Sequence, residues 1–153
     1  MLYTDAGPVG LGLVLVQEQD SENRVICYAS LALTSVERRY CQTKKEALAI
    51  VWACERLHPY LFGAPFTLMT DHRALEVIYG DKKKKSSARI ERWVLRLQAY
   101  DFQVRYVKGA LNIADSLSRL MKGSSGDAGS EKTAINTVED VELYVQNCNG
   151  SHQ

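Results

Sequence analysis

Ala47 to Cys54 is a run of eight consecutive apolar residues, with Thr43-Lys44-Lys45-Glu46 directly before it and Pro59 shortly after. A hydroxyl residue followed three positions later by a carboxylate is a capping-box pattern, so a helix is expected to begin at Thr43. It should stop near Leu57, because Pro59 cannot continue it. A helix that is apolar on nearly every side must be enclosed by other elements, which requires a layered fold around it. The run is also far shorter than the roughly 20 residues of a membrane-spanning helix. No membrane partner is therefore expected.

What precedes this helix reads as strands. Leu2-Tyr3-Thr4-Asp5 stops at Ala6-Gly7-Pro8, Gly10 to Gln17 is rich in Val and Leu, and Arg24 to Leu31 resumes after the turn-forming Asp20-Ser21-Glu22-Asn23. Such short links make an antiparallel meander. Downstream, Phe66 to Thr70 reads as a fourth strand and Asp71 to Tyr79 as a short helix. Ile90, Trp93, Val94 and Leu97 have helical spacing, Phe102 to Val107 alternates as a fifth strand, and Asn112 to Leu120 is expected to form a last helix. The order βββαβααβα implies an α/β fold, a five-stranded mixed sheet flanked by helices, with Trp52 and Trp93 in its core.

Charge divides the chain in two. The net charge of +1 averages +5 on residues 1–122 with −4 on residues 123–153. The boundary, Gly123 to Ser130, is too small and polar to bury a core. Residues 1–122 are thus expected to be the domain, and 123–153 a flexible linker and acidic tail leading toward a downstream domain. The cysteines at 27, 41, 54 and 148 match no zinc-site spacing, although Cys54 and His58 stand four apart on the expected helix. With no secretory pattern at the N-terminus, reduced thiols in an intracellular compartment are expected.

Four carboxylates carry the chemistry. Asp5 ends the first strand, Asp71 ends the fourth, Glu46 shares a helix face with Ile50, Ala53 and Leu57, and Asp115 lies in the first turn of the last helix. Each has a local explanation as a turn residue, a cap or a first-turn acid. Their conjunction has another. If strands one and four are neighbours, all four converge at one end of the sheet, and such a cluster cannot stay ionised without a cation. An all-oxygen set favours Mg²⁺ or Mn²⁺ over zinc, and two such ions about 3.5–4 Å apart suit phosphodiester hydrolysis.

Tyr3-Thr4-Asp5-Ala6, Tyr28-Ala29-Ser30 with Leu33-Thr34, Thr43 to Trp52, Thr70-Asp71-His72, Arg92-Trp93 through Tyr100-Asp101-Phe102, and Asn112 to Arg119 occur in this order. Together they resemble the ribonuclease H domain of gypsy-type LTR-retrotransposon reverse transcriptases, over about residues 1–121. The resemblance implies an RNase H-like fold and endonucleolytic cutting of the RNA strand of an RNA–DNA hybrid, dependent on Mg²⁺. By motif, Asp5, Glu46, Asp71 and Asp115 would be the catalytic metal ligands, with Gln42, Thr43, His72 and Arg73 bordering the site and touching the hybrid. It further implies linked reverse transcriptase and integrase domains, and a place in a cytoplasmic retroelement particle or the nucleus.

Two departures from the family pattern stand out. Gln103 to Ala114 contains no histidine, where many ribonucleases H carry one in a loop before the last Asp; Lys108 stands there instead. With four residues ahead of it, Asp5 is expected to be loosely held. Lys82, Lys83, Lys84 and Lys85 with Arg89, Arg92 and Arg96 form the strongest positive cluster, expected to hold phosphates unless it is a solvated face. The non-enzymatic alternative is a silent or host-adopted module that keeps the fold for binding. A DNA-cutting transposase of the same superfold fits less well, because Glu46 precedes Asp71.

Overall fold

The structure is a computed structural model and describes residues 1–80 and 86–119. The linker and tail expected at 123–153, and the Lys82 to Lys85 run, lie outside the described residues. Five strands, β1 (Leu2–Ala6), β2 (Gly10–Gln19), β3 (Glu22–Ala32), β4 (Phe66–Thr70) and β5 (Phe102–Tyr106), form one sheet in the order β3-β2-β1-β4-β5. The first three strands pair antiparallel, whereas β4 runs parallel to both β1 and β5. The sheet is therefore mixed, as expected.

The β2–β3 link is tighter than the sequence suggests. Asp20 and Ser21 both have positive φ, 53° and 64°, so two left-handed residues close the hairpin and β3 starts at Glu22. β1 is also better held than its brevity implied. All five of its residues pair with β2, and Leu2 and Tyr3 also pair with β4, so Asp5 is buried rather than loosely held.

Alternation along the strands decides which helix covers which face. Leu2, Leu13 and Leu68 point into the main core, where Ile50, Ala53, Cys54 and Leu57 meet Ile90, Trp93 and Leu97. The first group belongs to or directly follows α1 (Gln42–Arg56), the second to α4 (Ala88–Leu97). The two helices run side by side in the same direction: Arg89 meets Tyr40 just ahead of α1, and Arg96 pairs with Glu55 near its end. Val14, Val16 and Ala114 pack on the opposite face, which the short α5 (Asp115–Ser118) covers with Leu117.

Several boundaries differ from expectation for physical reasons. α1 starts at Gln42 with Cys41 as an uncapped N-cap, and the capping box does not form. The Thr43 hydroxyl instead bonds His72 Nε2 at 2.8 Å, and Glu46 accepts from Gln42 Nε2 at 2.7 Å. After α1 the chain makes a further turn, α2 (His58–Leu61), with Pro59 in its first turn, where a missing amide costs nothing. α3 (Arg73–Gly80) begins two residues later than expected, which leaves Asp71 and His72 in the loop after β4. The last helix is shortened at its start because Asn112 is used otherwise: its Nδ2 donates to the Thr4 carbonyl at 3.0 Å and its Oδ1 accepts from Ala114 N at 3.2 Å.

Gly12 is what lets α5 reach the sheet. A Cβ there would lie 2.6 Å from the Ala114 carbonyl oxygen and 2.8 Å from the Ser118 nitrogen, both backbone atoms. Gly12→Ala should destabilise the domain by about 1–3 kcal/mol, since backbone must move to admit the methyl group. An unchanged urea midpoint would show that α5 does not need this close approach.

Candidate active site

β1 and β4 are parallel neighbours, so the acid at the end of one and the acid just past the other reach the same end of the sheet. Glu46, in the first turns of α1, joins them from above that end. One oxygen from each of Asp5, Glu46 and Asp71 lies within 4.8 Å of the others, with Asp5 and Glu46 buried and Asp71 half-buried. Among the described residues this is the group able to share a cation. The Cys54 and His58 pair is not one: burial pushes the Cys54 thiol up to about 12, and His58 Nδ1 bonds the Tyr100 hydroxyl at 2.7 Å.

An open cleft of about 340 Å³ lies over the three acids, lined also by Gln42, His72, Asp115 and Arg119. Asp115 thus faces the same space from α5 without joining the tight group. Arg119 holds it, with Nη2 at 3.0 Å and Nε at 3.1 Å from Asp115 Oδ1. Gln42 organises the opposite wall, its Nε2 donating to the Ala6 carbonyl and to Glu46 Oε1, each at 2.7 Å. The other Glu46 oxygen, Oε2, is buried and has no hydrogen-bond partner among the described residues.

Electrostatics favour a cation here. Burial, then the Asp5 charge, push Glu46 up to about 8. Burial likewise raises Asp5, although the Ser118 hydroxyl, which donates to Asp5 Oδ2, opposes that rise. Buried acids under such strain either take up protons or are neutralised by a positive ion. The donors are all carboxylate oxygens, and the buried Glu46 Oε2 has no hydrogen-bond partner among the described residues, so these residues fit a hard divalent ion.

The remaining expected contacts divide. Gln42 and His72 line the cleft, and Thr43 stands one step behind as the hydrogen-bond partner of His72. Arg73 does not line it: its guanidinium lies 4.1 Å from the centre of the Tyr106 ring. Arg89 lies over the Tyr40 ring at 4.9 Å, at the end of α1 from which Glu46 projects. Ser118 and Arg119 lie in the last motif segment and Gly12 outside all of them, and no local pattern assigns any of the three to the site. Gly109 belongs with them, since a Cβ there would lie 3.2 Å from Asp71 Oδ2.

A five-stranded mixed sheet of this order with helices on both faces is the RNase H-like α/β fold. RNase H1 from Halobacterium salinarum shares it with a TM-score of 0.61 and 20% identity, over 76% of this chain and 91% of that one. The LC11-RNase H1 structure, solved in complex with RNA/DNA hybrid, matches with a TM-score of 0.60 and 17% identity over the same shares, 76% and 91%. Within that fold the chain belongs to the family described as the RNase H-like domain found in reverse transcriptase, which it matches over residues 1–100. It is the kind of domain that retrotransposon Pol polyproteins carry. The retrovirus-related Pol polyprotein from transposon opus of Drosophila melanogaster is 36% identical over 121 residues, or 78% of this chain. The match spans 12% of that polyprotein's length.

Proposed function

We propose that this domain hydrolyses the RNA strand of RNA–DNA hybrids with two divalent cations, Mg²⁺ or Mn²⁺, held by Asp5, Glu46, Asp71 and Asp115. The observation that carries this reading is the cluster of Asp5, Glu46 and Asp71, in which the buried Glu46 Oε2 has no hydrogen-bond partner among the described residues. When bound, the cations would lower the pKa of water and neutralise charge developing on the leaving oxygen. The chain's own residues do the rest. Gln42 fixes Glu46 against the sheet edge, and Thr43 fixes the ring of His72 beside Asp71. Arg119 keeps Asp115 in the cleft wall. The Lys82 to Lys85 run and Arg89 would hold phosphates of the hybrid outside the acids, by charge alone.

The parent protein in this reading is a retroelement Pol polyprotein, with reverse transcriptase and integrase portions on the same chain, acting in a cytoplasmic particle or the nucleus. Support for the substrate comes from LC11-RNase H1, solved with RNA/DNA hybrid. Labelled hybrid, duplex RNA and duplex DNA, each with Mg²⁺ or EDTA, test the reading. Hybrid should be cut in Mg²⁺ and untouched in EDTA, because a site of this kind reads 2′-hydroxyls on the scissile strand and deoxyribose on the other. Equal cutting of duplex DNA would favour a transposase-like activity, and no cutting of any duplex would favour a silent binding module.

A further inference from the structure

Ser118 is wholly buried at the end of α5. Its Oγ donates to Asp5 Oδ2, 113 positions away in the chain, and lies 2.9 Å from the Asp115 carbonyl oxygen. A four-residue helix has no stability of its own, so α5 is placed entirely by what it touches. The Ser30 hydroxyl donates to the Leu117 carbonyl at 2.9 Å, and Gly7 and Gly12 leave the room in which the helix sits. A Cβ on Gly7 would come within 3.1 Å of Ser118 Oγ itself. Among these contacts, the Ser118 hydroxyl is the one that reaches a carboxylate of the cluster.

We propose that Ser118 is a positioning residue for the cation-holding carboxylates: its hydroxyl fixes the orientation of the Asp5 carboxylate and ties β1 to the helix that carries Asp115. The proposal rests on the function proposed above. A carboxylate at a strand end is free to rotate about two bonds, and a buried donor on one oxygen removes that freedom. Hydrogen-bond partners of ligating groups commonly contribute 10–100-fold to metal affinity by this means. Arg119 acts on Asp115 instead, but that pair is more than a third exposed on both sides and screened by solvent, so it contributes less.

The test is Mn²⁺ binding to the 153-residue chain by titration calorimetry, with melting in EDTA recorded alongside. Ser118→Ala should bind Mn²⁺ about 10–100-fold more weakly. Its hybrid cleavage should fall at low Mn²⁺ and return at high Mn²⁺, whereas Asp71→Asn should not recover at any concentration. Equal Mn²⁺ affinity in Ser118→Ala and the parent overturns the proposal and leaves the proposed function standing. A parent chain that binds no Mn²⁺ overturns both. If Ser118→Ala does not fold, Ser118→Cys and Ser118→Thr replace it. The thiol is a weak donor, so the Cys variant should bind Mn²⁺ at least tenfold more weakly than the Thr variant, which keeps the hydroxyl. Equal affinities of those two also overturn the proposal.

Discussion

Asp71→Asn should lower hybrid cleavage by roughly two to three orders of magnitude, while the domain stays folded. The magnitude is that of losing a preorganised charge at the reacting centre. Asparagine keeps the shape of the side chain and removes its negative charge, so a cation shared with Asp5 and Glu46 loses a ligand. Folding should not suffer, because Asp71 lies half-buried in the loop after β4 and adds an unfavourable charge to Asp5 and Glu46. Removing that repulsion should raise stability in EDTA slightly. Single-turnover cleavage and a urea melt on the same preparation check both halves. Cutting at the parental rate would remove Asp71 from the site.

The second large effect concerns pH and cations together. In the folded, cation-free protein Glu46 titrates at about 8, chiefly because it is buried and also because Asp5 is close. In the unfolded chain a glutamate titrates near its ordinary value of about 4.3. Between those two values the folded state holds a proton that the unfolded state has released. Stability conferred by this group is therefore complete below about pH 4.3 and is lost as pH rises toward 8, at about 1.4 kcal/mol per pH unit. The raised Asp5 acts in the same direction.

On the proposed function a bound divalent ion would reverse the trend, because it would neutralise the acids without a proton and bind more tightly as protons cease to compete. The melting temperature in EDTA should fall from pH 5.5 to pH 8, and the increment produced by Mg²⁺ should grow over the same interval. Melts at four pH values with and without Mg²⁺ measure this. An increment that is constant with pH would show that the ion binds somewhere other than the buried acids.

Much of the site is legible in the sequence, because it depends on residue type at element ends. Carboxylates at the ends of two strands and at two helix starts are visible in a linear reading. The antiparallel start and the buried helix follow from spacing and turn residues, and the order of elements implies a mixed sheet. Boundaries are less legible where a side chain has two possible uses. Thr43 and Glu46 have the spacing of a capping box, and a linear reading has no means of weighing that local use against partners far along the chain. His72 takes the Thr43 hydroxyl, while Gln42 and the acid cluster take Glu46.

The sequence by itself determined the order of elements, their apolar faces and the acids, because local periodicity and charge act over a few residues. Tertiary structure decided which groups meet. Adjacency of β1 and β4 was a condition in the sequence and became a fact only through pairing across more than 60 positions, Leu2 with Leu68 and Tyr3 with Met69. The same holds for Ser118 on Asp5 and for Gly12 beneath α5. Such contacts join segments whose spacing along the chain carries no period, so only the paired sheet and its packed helices bring them together.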